Sequence, residues 1–597
     1  MLCIILKNIQ LNRPFGILMK KNNSIKKINL IIGGAIGNCV HTAGVYNYLR
    51  IAEASGYKSL FLGAAVSSEN FVKFIRDNNP DIVCISYRLT PSGLPKLLDT
   101  FFRLIKENNK TKNTLFYFGG TPKCVEEAKK YKYFSHFFQG DEKRSFIEKT
   151  LFFETKKLTV SQKYSKRDLL KNKNIGYKET KNFFHNKNYL PMIRHHFGLP
   201  SLSQTIEGIK KIANSELIDV ISLAPDQNAQ EFFFEPEKID TSLDGTGGTP
   251  IRSENDLIKI YEASQTGNYP MLRIYAGTKN LLKWANISVK TINNAWGTIP
   301  LFWYSELDGR SKRTLEKAIT ENMETIKWYA ERDIPVEIND SHQWALRECS
   351  DVTSVTDFYI AAYNAKKLGV KKFIAQLMFN TPRLTSAKMD LAKMLAKIEL
   401  INELEDDNFI YFKQVRAGLT HFSVDMDTAK GQLSSSTLLA LAVNPQIIHV
   451  VGFCEGDHAA TAEEVIESCK IVKGVLKNCW QGFPDLTADK EVINRKNHLI
   501  QEAKKTLRLI NNIFSDYSQD PLSNPKCLTG MVKAGIMDAP FLKGNPVALG
   551  QVKTMPINGG YEIIDNNNKI IQQSDYISRI IESSDINTLF LSNKTKE

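Results

Sequence analysis

The sequence predicts an α/β protein with a small, doubly wound parallel sheet followed by a (β/α)8 barrel. Two observations support this prediction. Apolar, strand-like runs alternate with segments of helical period over residues 27–142, and the alternation restarts on a larger scale from residue 190. Such alternation is typical of parallel sheets whose faces are covered by helices. A chain of 597 residues is also long enough for more than one buried core.

The first part, residues 27–142, contains five strand-like runs. They are INLIIGG (28–34), SLFLG (59–63), DIVCISY (81–87), LFYFGG (115–120) and HFFQG (136–140). Helix-length segments such as TAGVYNYLRIAEASG separate them, which indicates a parallel sheet. Because ligands of such sheets bind at the carboxyl ends of the strands, we expect a site in the loops that follow these runs.

Eight further strand-like runs follow, and each precedes a helical stretch. They are LPMIRHH (190–196), DVISLAP (219–225), PMLRIYA (270–276), IPLFWYSE (299–306), PVEIN (335–339), KKFIAQLM (371–378), FIYFKQVRA (409–417) and IIHVVGF (447–453). Eight strand–helix units are what a (β/α)8 barrel needs. We therefore predict a barrel domain over residues 189–515.

The remaining residues are predicted to flank or join these two domains. We expect residues 1–26 to form an N-terminal extension and residues 143–188 a lysine-rich linker. Residues 516–597 are expected to form a C-terminal appendage and tail, irregular apart from a short hairpin. The glycines and prolines of GIMDAPFLKGNPVALGQVKTMPINGGYEIID indicate this irregularity.

Charge and cysteine content restrict the class of function. The net charge of +14 is scattered along the chain and becomes dense only near the linker, so we expect no nucleic-acid partner. No apolar run approaches the roughly 18–20 residues that cross a bilayer, and we expect neither a leader nor membrane contact. The nine cysteines form no CxxC pair. This pattern favours reduced thiols in the cytoplasm and argues against a thiolate zinc site.

Polar side chains recur at the ends of the predicted barrel strands, which in a barrel converge on one mouth. They are Arg194, His195, His196, Asp226, Arg273, Tyr275, Glu306, Asn339, His342, Gln376, Gln414, Glu455 and His458. Arg194 and Arg273 suggest a clamp for a carboxylate or phosphate, because guanidinium groups hold such anions through paired hydrogen bonds. His195 and His196 point to opposite faces of a strand, so they do not easily share a metal ion. Any single residue of the set could instead be a salt bridge or a strand cap.

A histidine follows the first strand of the small sheet, in the stretch IIGGAIGNCVHTAGVYNYL. This residue is His41, and Gly44 three positions later leaves room beside the next helix. Ser86 ends the third strand and the pair Gly119 and Gly120 ends the fourth, all at one edge of the sheet. The arrangement resembles the Rossmann-like (flavodoxin-like) B12-binding domain of base-off/His-on cobalamin enzymes.

This resemblance implies that His41 ligates the cobalt of cobalamin, while the three glycines and Ser86 hold its nucleotide tail. The family motif is Asp-x-His-x-x-Gly, but this chain has Cys39 at the aspartate position. A carboxylate there fixes the histidine tautomer and its basicity. Either Asn38 or water substitutes for it, or the cobalt–histidine bond is weaker.

Residues 190–565 are similar to the catalytic subunit of glutamate mutase, including the stretch GIMDAPFLKGNPVALGQVKTMP. By position, Arg194 and Arg273 match two of the three arginines that hold the dicarboxylic substrate there. Tyr304 lies close to an active-site tyrosine, and Glu455 matches a glutamate that contacts the adenosyl ribose. The third arginine has no counterpart in APDQNAQE, and the glutamate that binds the substrate amino group has none near NNAWGTIP. Glutamate itself is therefore not the expected substrate.

These features predict an isomerase (mutase) that uses adenosylcobalamin for radical chemistry on another small carboxylate-bearing substrate. Arg194, Arg273, Tyr304 and His195 are its predicted catalytic residues. One alternative is a methylcobalamin-dependent methyltransferase of the methionine-synthase kind, although too few residues precede the first strand for a helical cap and no zinc site is evident. The other is a non-catalytic cobalamin carrier or sensor. The oligomeric state stays open, a homodimer included.

Overall fold

The computed structural model describes residues 30–55, 57–107, 114–156, 191–479 and 482–583. The chain divides into two compact units, residues 1–166 and 167–597. The predicted N-terminal extension, most of the predicted linker and the end of the predicted tail lie outside the described residues.

The first unit contains a five-stranded parallel sheet in the order β2-β1-β3-β4-β5. Its strands are β1 (Leu30–Ile36), β2 (Lys58–Val66), β3 (Ile82–Tyr87), β4 (Leu115–Gly120) and β5 (Phe134–Phe138). Its helices are α1 (Ala43–Ala54), α2 (Ser68–Asn78), α3 (Leu94–Lys106), α4 (Pro122–Ala128) and α5 (Arg144–Lys156). The order is that of flavodoxin-like folds and confirms the predicted fold of this part. It changes direction between β1 and β3, the point at which such sheets bind ligands.

Apolar side chains explain why this sheet is covered on both faces. Every residue of β3 is buried, since its run is apolar on both sides. One core cluster gathers Phe71, Phe101 and Phe118 on one side, and another gathers Leu49 and Leu151 on the other. Helix α5 supplies Leu151, so the beginning of the segment predicted as a linker is a packed helix.

The second unit contains eight parallel strands in a nearly closed barrel, which confirms the predicted (β/α)8 fold. The strands are β6 (Met192–Phe197), β7 (Val220–Leu223), β8 (Met271–Ile274), β9 (Gly297–Thr298), β10 (Val336–Glu337), β11 (Lys372–Phe379), β12 (Ile410–Ala417) and β13 (Ile447–Val450). They follow chain order, and β13 pairs with β6. The strands β8 and β9 are the two edges of this sheet, where the barrel is not closed by paired strands. Between them, the Ala295 amide donates to the Leu272 carbonyl at 2.9 Å.

Helices surround these strands, as the apolar periodicity of the sequence predicts. They are α6 (Leu202–Asn214), α7 (Gln227–Phe232), α8 (Glu254–Ser264), α9 (Leu281–Ile292), α10 (Leu315–Ala330), α11 (Asp340–Ala345), α12 (Asp351–Lys367), α13 (Ala387–Asn402), α14 (Met426–Leu441) and α15 (Ala462–Cys479). None of the helices in the described ranges has both the length and the apolar character required to cross a bilayer.

The fourth barrel strand differs from its prediction. The sequence indicates a strand over residues 299–306, but β9 consists of Gly297 and Thr298 alone, and the apolar run that follows is a buried loop. Pro300 has no amide hydrogen to donate to a neighbouring strand. The Asp340 carboxylate accepts the Phe302 amide at 2.8 Å, so this backbone is satisfied without a strand partner.

The C-terminal part contains more regular structure than its glycines and prolines indicate. Its elements are α16 (Lys490–Ile513), α17 (Pro525–Lys533), β14 (Thr554–Ile557), β15 (Gly560–Ile564), β16 (Ile570–Ile571) and α18 (Gln573–Ser583). The predicted hairpin is formed by β14 and β15, which pair antiparallel across Asn558 and Gly559, both with positive φ. Buried ion pairs attach this hairpin to the barrel: Arg495 contacts both Asp351 of α12 and Glu562 of β15.

Candidate functional site

A cleft of about 710 Å³, open solvent included, lies at the carboxyl edge of the small sheet. Four of the residues predicted to hold a nucleotide tail line it: Gly44, Ser86, Gly119 and Gly120. Parallel pairing sets Ser86 of β3 beside Gly119 of β4, and α1 brings Gly44 to the same place. The structure therefore gathers residues that are 76 positions apart, from 44 to 120, into one cavity.

The glycines of this cleft have two different roles. A Cβ atom added at Gly44 would meet no atom within 4 Å, and one at Gly119 would meet only the Phe138 carbonyl at 4.0 Å. Side chains at these positions would therefore project into the cleft, so glycine keeps space for a bulky ligand. At Gly120, by contrast, a Cβ would lie 2.6 Å from the Tyr87 carbonyl, which makes this glycine a requirement of packing.

His41 is exposed in the loop between β1 and α1. The Ser86 hydroxyl donates to the His41 carbonyl at 3.3 Å, which ties the loop to the end of β3. The buried Cys39 thiol lies 3.8 Å from His41 Nδ1, and its sulfur also accepts the Arg88 amide. Cys39, rather than Asn38, thus takes the place beside Nδ1 where the family motif has a carboxylate. Nε2 lies on the other side of the ring and is the nitrogen that could ligate a metal.

We expect Gly119→Val to fold normally and to weaken cobalamin binding strongly, because its side chain would occupy the cleft without clashing. Equilibrium binding of cobalamin, read by absorbance, measures the loss. Gly120→Val is the matched control and should instead lower the stability of the small domain. Wild-type cobalamin affinity in a folded Gly119→Val variant would show that the ligand does not use this cleft.

Inside the barrel, strand alternation decides which side chains share a face. On β6, Met192 belongs to an inner apolar cluster, and Arg194 and His196 point the same way. Ile193 and Phe197 pack between the strands and the helices, and His195 shares their side of the strand. The structure thus separates His195 from Arg194, although both were predicted to be catalytic.

Arg194 and Arg273 meet at a buried carboxylate that the sequence analysis missed. Glu337 Oε2 lies 3.3 Å from both Arg194 Nη1 and Arg273 Nη2, and the Trp296 indole donates to it at 2.8 Å. The two arginines and Glu337 are fully buried. The trio therefore carries a net positive charge away from water, a costly arrangement without a further anion.

The charge state of this trio follows from its neighbours. Burial opposes ionisation of Glu337, but the nearby Arg273 and Arg194 charges hold its pKa below the usual range. Burial, together with the Arg273 charge, lowers the pKa of Arg194 to about 9, so this side chain stays protonated at neutral pH. Among the described residues, buried Arg273 Nη1 and Glu337 Oε1 have no hydrogen-bond partner. These two atoms mark the position where a polar ligand group would be held.

A chain of hydrogen bonds extends from Arg194 across the barrel. Arg194 Nη1 donates to Gln414 Oε1 at 2.6 Å, and Gln414 Nε2 donates to Gln376 Oε1 at 2.9 Å. Gln376 Nε2 lies 3.0 Å from His342 Nδ1. Three predicted strand-end residues are therefore connected, and they fix the orientation of the Arg194 guanidinium.

Two imidazoles and a phenol complete the polar interior. His196 stacks on His449, with ring centroids 4.4 Å apart, and the Tyr275 hydroxyl lies 3.0 Å from His196 Nε2. Burial and the charges of Arg194 and nearby arginines lower the pKa of both histidines well below the usual range. Both imidazoles are thus neutral. They could exchange hydrogen bonds with a ligand without adding charge.

A third guanidinium, Arg416 of β12, also acts on this interior. Its charge lowers the pKa values of Arg194, His196 and His449, after the larger effect of burial. Sequence reasoning selected Gln414 from the run FIYFKQVRA. Arg416 lies two residues further along the same strand, and the period of two could have identified it.

Tyr304 lies in the buried loop after β9, and its backbone has a positive φ of 61°. Bulky side chains rarely adopt this conformation, which costs of order 1–3 kcal/mol and is concentrated at functional sites. Burial raises the pKa of the Tyr304 phenol to about 12, while the Arg310 charge opposes this rise. The Arg310 guanidinium lies over the Tyr304 ring, 5.0 Å from its centroid, so Tyr304 is a buried, neutral hydroxyl beside Arg310.

Other predicted residues have structural partners. Glu455 Oε1 accepts the Gly452 amide at 2.7 Å and lies 3.7 Å from His195 Nε2, away from the arginine trio. Asp226 caps α7 and forms a two-pronged ion pair with Arg252. Glu306 accepts the Leu315 amide at the start of α10.

Comparison with known proteins gives one family match. Residues 29–143 match the model of the B12 binding domain. No curated protein matches the chain significantly.

Among solved structures, a cobalamin-binding protein from Desulfitobacterium hafniense DCB-2 is 18% identical, with a TM-score of 0.18; the match covers 22% of this chain and 59% of that chain. The signal receiver domain of NarL from Mycobacterium tuberculosis is 17% identical, with a TM-score of 0.16, over 22% of this chain and 98% of that chain. The cobalamin-dependent S-adenosylmethionine radical enzyme OxsB, solved with aqua-cobalamin and S-adenosylmethionine bound, is 12% identical with a TM-score of 0.18, over 85% and 71% of the two chains. TM-scores this low do not relate the architectures of the whole chains.

The family match and the cleft agree with each other. The matched residues are those of the small parallel sheet, and they include the exposed His41 and the glycines whose missing side chains leave the cleft open. A long nucleotide tail and a corrin ring require such space. Residues 29–143 therefore form a B12-binding domain, and the protein is a cobalamin-binding protein.

Proposed function

We propose that the protein is an adenosylcobalamin-dependent isomerase that acts on a small carboxylate-bearing substrate other than glutamate. The observation that supports this most is the buried trio of two arginines and one glutamate, with its net positive charge and its unpartnered Arg273 Nη1. An anion of the substrate would neutralise this charge and accept the free hydrogen. Without such a substrate, two buried guanidinium groups with one carboxylate between them would cost stability and bring no functional gain.

The side chains have distinct tasks in this proposal. Arg273 binds the substrate carboxylate through Nη1, and Arg194 is held beside it by Glu337 and Gln414. The neutral Tyr304 hydroxyl donates a hydrogen bond to the same anion. The buried interior excludes water, which strengthens these contacts and protects reactive species. His195 lies with Glu455 outside this group, so we assign it a positioning role.

The cofactor would be held by the small domain through His41 and the glycine-lined cleft. When bound, adenosylcobalamin supplies a carbon-centred radical, and the protein contributes binding, orientation and water exclusion. We propose the adenosyl form of cobalamin as the active cofactor.

The position of the third arginine supports a substrate other than glutamate. Glutamate mutase resembles this chain at Arg194 and Arg273 but has its third arginine in the loop after the second barrel strand. Here Gln227 and Asn228, the first residues of α7, occupy that region, and the additional guanidinium is Arg416 on β12. The cationic groups are therefore distributed differently, so we expect a carboxylate of different length or substitution.

The function can be tested with the purified chain under anaerobic conditions. It is loaded with adenosylcobalamin and mixed with a panel of small mono- and dicarboxylic acids, and electron paramagnetic resonance monitors cob(II)alamin coupled to an organic radical. We expect this signal with one class of acid only. In a parallel sample loaded with methylcobalamin, transfer of the methyl group to a nucleophilic acceptor with formation of cob(I)alamin would instead establish the methyltransferase. Bound cobalamin without either reaction would establish the carrier.

Arg273→Ala should reduce turnover by about 10²–10³-fold, the usual effect of losing one charged donor to a reacting group, and leave cobalamin bound. The expected loss follows from the anion contact at Nη1. The radical signal and product formation measure it, with cobalamin affinity as the check on folding. Arg332→Ala, which removes a half-exposed arginine on the barrel surface, is the matched control. Retained turnover in Arg273→Ala would refute the assigned role.

A further inference from the structure

The loop after β13 and the first turn of α15 bring together three side chains of the kinds that bind metal ions. Cys454 Sγ, a ring nitrogen of His458 and a carboxylate oxygen of Glu464 all lie within 4.8 Å of one another. Cys454 is buried at the base of the group, and the imidazole is half-exposed at its edge. The loop follows the carboxyl end of a barrel strand, the end at which barrels place their functional groups.

The histidine and the carboxylate are already oriented for a shared ligand. His458 Nδ1 lies 2.9 Å from Asp457 Oδ2, while Nε2 faces Glu464 Oε1 at 2.9 Å. A carboxylate on the far nitrogen is the usual support of a metal-binding imidazole, because it fixes the tautomer and ring orientation. Glu464 Oε2 accepts both the amide and the hydroxyl of Thr461, at 2.9 and 2.8 Å. These bonds leave Oε1 as the oxygen directed at the histidine.

An Asp–His–Glu ion pair could explain two of the three side chains without a metal. That ion pair does not include the buried Cys454 thiol, although its sulfur lies within 4.8 Å of the ligand atoms of both partners. A divalent cation would contact all three groups, and a coordinating thiol loses its proton. The cation would then replace the proton shared between His458 and Glu464.

We propose that Cys454, His458 and Glu464 form a Zn²⁺ site with one coordination position open to solvent. One sulfur, one nitrogen and one oxygen are ligands that zinc accepts, and three protein ligands with a free fourth position are typical of zinc that binds water or a substrate group. The open position would lie on the side of His458, whose side chain is 44% exposed. The cysteine pattern argued against a thiolate zinc site because it lacks paired cysteines, whereas this set contains one cysteine and the spacing C-x3-H-x5-E.

The test uses the full-length, cobalamin-free chain, stripped with a chelator and then titrated with Zn²⁺ or with Co²⁺ as a spectroscopic substitute. We expect one tight Zn²⁺ per chain and, with Co²⁺, a thiolate-to-metal charge-transfer band in the near ultraviolet. Glu464→Gln should lower Zn²⁺ affinity at least about tenfold, and Cys454→Ser should remove the charge-transfer band. Asp457→Asn should weaken binding by about 10–100-fold, as supporting carboxylates do.

Two matched controls distinguish this site from nonspecific metal binding. Cys479→Ser changes a thiol at the far end of α15, and Glu467→Gln changes a carboxylate one turn beyond Glu464. Neither should alter affinity or spectrum. A chain that binds no Zn²⁺, or binds it equally well in Glu464→Gln and Cys454→Ser, would overturn the proposal. Glu464 is near the surface, so its variant keeps the test valid if Cys454→Ser folds poorly.

Discussion

His41→Ala is expected to remove the protein nitrogen from the cobalt of bound cobalamin. Electron paramagnetic resonance of the cob(II)alamin form measures this, because a coordinated nitrogen splits each cobalt line. In protein uniformly labelled with ¹⁵N, wild-type chain should show doublets from the imidazole, whereas the unlabelled base of the cofactor would give triplets. The variant should lose the doublets entirely and bind cobalamin more weakly.

The reason lies in the loop that presents this histidine. Ser86 and Cys39 hold the backbone and the Nδ1 side of the ring, and Nε2 is directed elsewhere. His498→Ala, in α16 of the other unit, is the control and should keep the doublets. Triplets in wild-type protein, or doublets that survive in His41→Ala, would assign the cobalt ligand to another group.

The second large effect is expected at Glu337. Glu337→Gln should destabilise the barrel by about 3–5 kcal/mol, because removing one partner of a buried ion pair leaves uncompensated charge. Two guanidinium groups would then face each other without a carboxylate. All six tryptophans lie between residues 284 and 480, so urea unfolding followed by tryptophan fluorescence reports on the second unit alone.

The control replaces a surface carboxylate in the same unit. Glu399 pairs with Lys496 at 2.5 Å with its side chain about half-exposed, and Glu399→Gln should cost at most about 1 kcal/mol. Replacing Arg194, Glu337 and Arg273 together by apolar residues of similar size should recover stability and abolish substrate binding. Equal stabilities of Glu337→Gln and wild type would mean that the trio is not a stabilising unit.

The difference in unfolding free energy between wild type and Glu337→Gln should depend on pH, with a sign that follows from the pKa of Glu337. Because the folded-state pKa of Glu337 lies below its ordinary value, the carboxylate contributes stability that is complete above the unfolded-state pKa. That contribution is lost as the pH falls through the folded-state pKa. The gap between wild type and Glu337→Gln should therefore be full at neutral pH and shrink in acid.

Sequence patterns predicted the fold well where local and tertiary preferences agree. All five strands of the small sheet and seven of the eight barrel strands overlap the predicted runs, although several extend beyond them, because buried parallel strands are continuous apolar segments. The strand predicted over residues 299–306 is wrong because of a contact from a distant part of the chain. Asp340, the first residue of α11, accepts the Phe302 amide of this loop, and no pattern within residues 299–306 reveals such a distant hydrogen-bond acceptor.

The candidate site could be predicted only in part. Arg194 and Arg273 were found because a guanidinium inside an apolar strand is conspicuous. Glu337 and Arg416 were missed although both lie at the carboxyl ends of their strands, and strand parity places Arg416 on the same face as the predicted Gln414. The cluster around Cys454 depends on a fold of the loop that brings residues four and ten positions apart into contact, which spacing alone does not specify.

The ion pairs between the hairpin and α12 bear on how the chain is synthesised. Asp351 accepts the Tyr561 amide at 3.1 Å and an Arg495 nitrogen at 2.9 Å, and Arg495 also pairs with Glu562. The polypeptide emerges from the ribosome from its amino end, and domains generally fold as units in that order. The corrinoid-binding domain can therefore mature early, while Arg495 lacks its Glu562 partner and Asp351 lacks the Tyr561 amide until translation has passed residue 562. Chaperone demand during synthesis should consequently fall on the larger unit.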